Sequence, residues 1–174
     1  MAGPGLEFAD FEVSQLAAEY ADPRVVVGRA ATGAAFAELL GWADLVHIAC
    51  HGSFRTDNPM FSSLHLADGP LIVHDLERLD RLPETVVLPA CNVANTKALH
   101  GGSLLGLATA LITLGAGNVI APLTPINDAS SVAVMFRLHR ELLAGRSPAA
   151  ALAAASSGSD VADPTAGAFI ALGA

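Results

Sequence analysis

Two short runs of this sequence end in side chains able to do nucleophilic chemistry. "DLVHIACHGSF" (44–54) brings together His47, Cys50, His51 and Gly52, and "TVVLPACN" (85–92) closes on Cys91, the second of only two cysteines. A thiol placed near an imidazole is a nucleophile supplied with its base. Gly52 lets other atoms approach the backbone closely, and its N–H can point at a developing oxyanion. The candidate site is therefore Cys91 as nucleophile, His51 as base and Gly52 as oxyanion donor. Spacing alone leaves a coincidental pair open, because cysteine is among the most buried residue types. Cys50 alternates away from His51 and reads as core.

A metal site fits the same residues poorly. His47 and His51 share a strand face but stand about 13 Å apart at ~3.3 Å per residue, too far to share an ion. On a helix they would be neighbours, as in H-E-x-x-H, but the glutamate is missing. No metal is expected. His47 and His65 read as satisfied core or rim histidines, and His139 sits on an apolar helical stripe. "HGGS" (100–103) resembles a lipase oxyanion loop, yet the chain has no G-x-S-x-G elbow. A P-loop is absent, and "GAGNVI" lacks the third glycine of a dinucleotide fingerprint. Cys91 is the one credible nucleophile.

Both runs are apolar and too short for helices, so Leu45–Cys50 and Thr85–Ala90 are expected as buried strands. In open parallel sheets, sites form outside the carboxyl ends of strands. His51 and Cys91 would then share one rim if the strands run parallel. Pro89, which has no N–H to donate, suits a strand already leaving the ladder.

The remaining pattern supplies the scaffold. Phe11, Leu16 and Tyr20 are placed to line a helix face, and "RVVVGR" (24–29) reads as a strand. Thr32 caps a helix through Leu40, with Phe36, Leu39 and Leu40 at helical spacing. "SSLHLADG" (62–69) alternates and ends in a turn signal, as a strand or hairpin arm does. Residues 101–117 are apolar on all sides, which predicts a core helix closed by glycines. A strand over 118–123 follows. Asp128 can cap a helix whose stripe is Val132, Phe136, His139 and Leu143. "SPAAALAAA" (147–155) opens with a Ser cap and a Pro at the first helical position, and Phe169–Leu172 reads as a last strand. Strands alternating with helices point to an α/β fold, a mainly parallel sheet with helices on both faces.

Composition narrows the function classes. A chain of 174 residues suits one domain with a substantial core. With 52% apolar and only 15% charged residues, it is globular rather than disordered. A net charge of −8 argues against nucleic acid as partner. Neither a secretory leader nor a membrane-length apolar run is visible. Two cysteines make no disulfide framework, so a reducing, cytoplasmic setting is expected.

The sequence also resembles a known family. "VHIACHGSF…NPMFSSLHLADGPL", "VVLPACN", "GGSLLGLATALITLGAGNVIAPLTPINDAS", "AGRSPAAALAAA" and "DPTAGAFIALG" together resemble the CHAT domain, a caspase-like group of clan CD cysteine peptidases related to separase. The resemblance runs in order from about Leu6 to Gly173 and implies a caspase-like three-layer sandwich occupying 1–174 as a single domain. On that resemblance, the N-terminal strands usual in the family are expected to be missing from these residues. It further implies His51 as general base, Gly52 N–H as oxyanion donor and Cys91 as nucleophile, its own N–H serving as a second donor. The implied reaction is peptide-bond hydrolysis through a thioester acyl-enzyme, with no cofactor. The implied partners are a protein or peptide substrate and an activating or sensor protein. An uncovered sheet edge would add a route to oligomers.

Relatives that cleave after basic residues carry an acidic group in the pocket for the residue before the scissile bond. Asp128 is the counterpart offered by this chain, although a helix N-cap is the stronger reading of that residue. The chain also departs from the family pattern. Leu88-Pro89-Ala90-Cys91-Asn92-Val93 stands where Leu-Ser-Ala-Cys-Glu-Thr is usual, and Leu123-Thr124-Pro125-Ile126-Asn127-Asp128 where Leu-Trp-Pro-Val-Asp-Asp is usual. Those changes, with Thr165-Ala166-Gly167 where an aromatic pair is usual before the final strand, remove aromatic walls from the substrate region. The alternative function is thus a catalytically weak or inactive protease-like scaffold that binds other proteins.

Overall fold

The structure is a computed structural model that describes residues 1–53, 55, 57–89, 102–124, 126, 128–157 and 165–173. Its main sheet contains four strands in the order β1-β5-β6-β7. Three of them, β1 (Leu45–His47), β5 (Thr85–Val87) and β6 (Asn118–Pro122), run parallel, and β7 (Phe169–Gly173) closes one edge antiparallel to β6. A smaller antiparallel sheet joins β2 (Gly52–Ser53), β3 (Ser63–Leu66) and β4 (Gly69–Ile72).

Strand alternation explains how both faces are covered. Val46, Ile48, Val86, Leu88, Val119 and Ala121 turn one way and meet Phe36, Leu39 and Leu40 of α2 (Gly33–Trp42) and Leu107 and Leu111 of α3 (Gly102–Thr113). Val87, Ile120 and Phe169 turn the other way. They pack on Val134, Met135 and Leu138 of α4 (Asp128–Leu143) and on Ala151, Leu152 and Ala155 of α5 (Pro148–Ser157). On that second face Ala2 and Ala49 pack with Ala9 and Val13 of α1 (Ala9–Ala17). The architecture is a mixed α/β sandwich, mostly parallel and flanked by helices, as a caspase-like fold requires. Strands buried on both faces are why the runs at 45–50 and 85–90 read as continuous apolar segments rather than alternating ones.

Several local expectations shift. Residues 24–29 do not form a strand: Val27 makes an isolated parallel bridge to Ala2, and Gly28–Ala30 turns as a 3-10 helix. Gly28 has φ 56°, a left-handed conformation that ends the extended run. The 45–50 run is regular only to His47, after which its outer edge is taken by residues 1–3. Ala49 N–H donates to Met1 O at 3.0 Å and Gly3 N–H to Ala49 O at 2.8 Å. Phe11 is 56% exposed, so the inner face of α1 is not the one its aromatic residue suggested. That face is instead Ala9, Glu12, Val13 and Leu16, a helical repeat with a carboxylate inside it.

Thr32 does cap α2: its backbone is extended and its Oγ1 accepts from Ala35 N–H at 3.3 Å. Ser147 accepts from Ala150 N–H at 3.4 Å at the head of α5. The 62–69 run becomes β3 and the turn into β4, a hairpin arm as expected.

Candidate active site

The parallel pairing of β1 with β5 puts the carboxyl ends of both strands on one rim. Leu45, Val46 and His47 lie opposite Thr85, Val86 and Val87. Beyond β1 the chain passes through the buried Ile48–Cys50 to His51, which is half-buried. Beyond β5 it passes through Leu88, whose N–H donates to Ile120 O at 2.8 Å, to the buried Pro89.

His51 is held from two sides. Its carbonyl accepts from His65 N–H at 2.8 Å, which carries the β2–β3 ladder one pair further. Its ring Nε2 lies 3.2 Å from Gly5 O. A carbonyl oxygen only accepts, so Nε2 carries the proton and Nδ1 is the basic nitrogen of the neutral ring. Gly5 is required for this approach. It has φ +90°, and a Cβ there would stand 3.2 Å from His51 Nε2 and 3.3 Å from Cδ2. Nothing in the sequence pattern singled out this carbonyl.

Gly52 is buried and pairs with Leu64 across the small sheet. Opposed residues of an antiparallel pair alternate between hydrogen-bonded and non-bonded positions. His51 and His65 take the bonded position, so Gly52 takes the non-bonded one and its N–H points away from β3. An oxyanion donor needs that direction. Ser53 Oγ lies 2.7 Å from His65 Nε2, so His65 is a rim histidine with a partner, as expected of it.

Cys91 lies outside the described residues. Asp128 is the first residue of α4, one place past the cap position that Thr32 occupies on α2, and its side chain is likewise outside what is described. Cys50 is 1% exposed, and burial pushes its thiol up to about 12, so it stays a protonated core residue. Among the described residues no group of three or more His, Cys, Asp or Glu could hold a metal ion, and no helix is long and apolar enough to cross a membrane.

The sequence matches the CHAT domain family over residues 1–159. The chain belongs to that family. No curated protein matches the chain at a significant level. CHAT domains are caspase-like and related to cysteine peptidases, which agrees with the sandwich and with a rim built from the ends of β1 and β5.

This CHAT domain also carries a polar chain that sequence reasoning divided into separate histidines. Glu12 Oε1 lies 2.7 Å from His47 Nε2, His47 Nδ1 lies 3.0 Å from His139 Nε2, and His139 Nδ1 lies 2.6 Å from Tyr20 Oη. Glu12, His47 and His139 are 1%, 8% and 2% exposed. Burial pushes the Glu12 carboxyl up to about 8 and holds both imidazoles well below their usual value. The proton of the Glu12–His47 pair therefore sits on the carboxyl. Glu12 Oε2 is buried without a hydrogen-bond partner, a position a neutral acid tolerates better than a carboxylate. The signal available in the sequence was one acidic residue inside the apolar repeat Ala9, Val13, Leu16.

A cavity of about 530 Å³ lies away from the rim. It lies beside the amino end of β1 and is lined by Leu16, Tyr20, Trp42, Val46, His47 and His139.

Proposed function

We propose that this CHAT domain is a cysteine endopeptidase acting through a Cys91–His51 dyad. The observation that carries the reading is the register of β1 on β5. His47 stands opposite Val87, so the two parallel strands end on one rim, with His51 four residues past the end of β1 and Cys91 four residues past the end of β5 in the sequence. The basic Nδ1 of His51, its ring oriented by Gly5, and the outward N–H of Gly52 support it.

The chemistry follows from these groups. His51 Nδ1 takes the thiol proton, and the Cys91 sulfur attacks the scissile carbonyl carbon. The resulting oxyanion is received by Gly52 N–H. Collapse breaks the C–N bond, the imidazolium gives its proton to the leaving amine, and a thioester remains. Water, deprotonated by the same imidazole, then releases the acid and restores the thiol. Protein or peptide is the substrate class, and an activating partner would act by ordering loops around the rim. Asp128 is the residue to test for a preference for basic side chains.

The test is covalent labelling of Cys91 by peptide acyloxymethyl ketones bearing basic, acidic or apolar end residues. Labelling that is fast in the wild type and lost in His51→Ala establishes an activated thiol. Equal, slow labelling of both proteins overturns the peptidase reading in favour of a protein-binding scaffold, to which the altered residues around Cys91 already incline.

A further inference from the structure

The buried chain Glu12–His47–His139–Tyr20 crosses three elements, with Glu12 on α1, His47 on β1 and His139 on α4. Tyr20, just beyond α1, stands half-buried at the wall of the cavity. Each imidazole uses both ring nitrogens within the chain, so a neutral ring donates on one side and accepts on the other. With both rings neutral, as their lowered pKa values favour, two orderings satisfy all three contacts. With Glu12 protonated, the carboxyl donates to His47 Nε2, His47 Nδ1–H to His139 Nε2, and His139 Nδ1–H to Tyr20, whose hydroxyl then donates into the cavity. With Glu12 ionised, every bond reverses and the Tyr20 hydroxyl points inward.

The two orderings differ by one proton. Moving between them passes one proton across each contact, and one leaves from the Tyr20 hydroxyl to water. The outward ordering leaves Glu12 Oε2 as an unpaired carbonyl oxygen, whereas the inward one leaves it as an unpaired carboxylate oxygen. The second state costs more, and that cost falls on the docking of α1 against the sheet.

We propose that these four residues form a one-proton relay whose state governs how firmly α1 docks on the sheet. Through Gly5, four residues ahead of α1, it then sets the orientation of the His51 ring. Glu12, His47, His139 and Tyr20 are positioning residues in this account. Its second half rests on the reading of His51 as the catalytic base.

The charges facing the relay are few. The Met1 amino group donates to His47 O at 2.7 Å, and the Cys50 thiol lies near that amine. Asp22, Arg24 and Asp44 share the cavity wall with Tyr20, and Glu19 and Arg140 flank the other side of His139.

The experiment is ¹⁵N spectroscopy of the histidine rings of the full chain, titrated from neutral to alkaline pH, in the wild type, Glu12→Gln and Tyr20→Phe. In the wild type, both relay histidines are expected to carry their proton on Nδ1 at neutral pH and on Nε2 at high pH. The His51 signal should shift with the same midpoint. The side-chain amide introduced by Glu12→Gln has no proton to lose and keeps donating to His47 in the outward ordering, so the inversion should vanish in that variant. In Tyr20→Phe both orderings lose their partner at His139 Nδ1, and the midpoint of the inversion should shift. Relay tautomers that do not change in the wild type, or that change equally in Glu12→Gln, overturn the relay. A relay that inverts while His51 stays still overturns the link to the rim. Cys91 labelling reports separately on the peptidase reading, so a failure there leaves the ring titration to stand or fall by itself.

Discussion

His51 and Gly5 are joined by an Nε2–H···O contact of 3.2 Å between residues 46 positions apart, and the contact exists because position 5 has no side chain. Gly5→Ala is expected to do two things. A side chain at φ +90° costs about 1–2 kcal/mol of stability. Displacing the carbonyl also removes one anchor of the ring, which is expected to slow Cys91 labelling roughly 10- to 100-fold. Urea denaturation measures the first effect and probe kinetics the second. A Gly5→Ala protein that loses stability but labels at the wild-type rate would show that the carbonyl does not orient the base.

Glu12 makes stability depend on pH in a definite direction. Its carboxyl is raised from 4.5 to about 8 by burial, so between those values the folded chain holds a proton that the unfolded chain has released. Stability from this group falls as pH rises through that window. His47 and His139 act in the opposite sense. Burial holds them well below 6.5, so as pH falls through 6.5 and below the unfolded chain takes up protons that the folded one refuses. The Met1 amine, lowered from 8.0 to about 6, adds stability as pH rises between those values. Comparing wild type with Glu12→Gln isolates the carboxyl. The wild type is expected to lose stability relative to the variant steadily from pH 4.5 to 8, read from denaturation midpoints across that range. Parallel curves would mean that Glu12 titrates normally.

Thr32 offers a test of local structure remote from the rim. Its Oγ1 satisfies Ala35 N–H in the first turn of α2, whose Phe36, Leu39 and Leu40 are buried against β1 and β5. Thr32→Ala is expected to cost about 1 kcal/mol and Thr32→Ser much less. Thermal unfolding of both variants checks it.

What could be read in advance follows from what local pattern encodes. Leu45–His47 and Thr85–Val87 were visible because strands buried on both faces need unbroken apolar runs, and Thr32 and Ser147 because capping is a local chemistry. The main sheet and its helices followed from these. The strand expected at 24–29 failed because pairing decides strand formation. Among the described residues Val27 makes an isolated bridge to Ala2 rather than joining a ladder, and Gly28 then bends the chain. The Gly5 carbonyl was invisible because a backbone oxygen has no residue-type signature. The relay was half legible: His47 read as a satisfied core or rim histidine and His139 as part of an apolar helical stripe, but that the two satisfy each other is a contact between positions 92 apart.

The clearest separation between pattern and packing lies in two phenylalanines. Residue type and spacing assign Phe11 to the inner face of α1, yet it is 56% exposed, while Phe36 on α2 is 0% exposed and packs with Leu40 in the larger core cluster. Truncating a buried phenylalanine removes its transfer free energy and leaves a cavity, so Phe36→Ala is expected to cost about 3–5 kcal/mol. Phe11→Ala removes ring surface that stays largely in water and is expected to change stability by no more than about 0.5 kcal/mol. Chemical denaturation of the pair checks the assignment of the α1 faces. A large loss in Phe11→Ala would mean that the outer face of α1 is covered in solution, and that the helix docks through its aromatic side as well as through Val13 and Leu16.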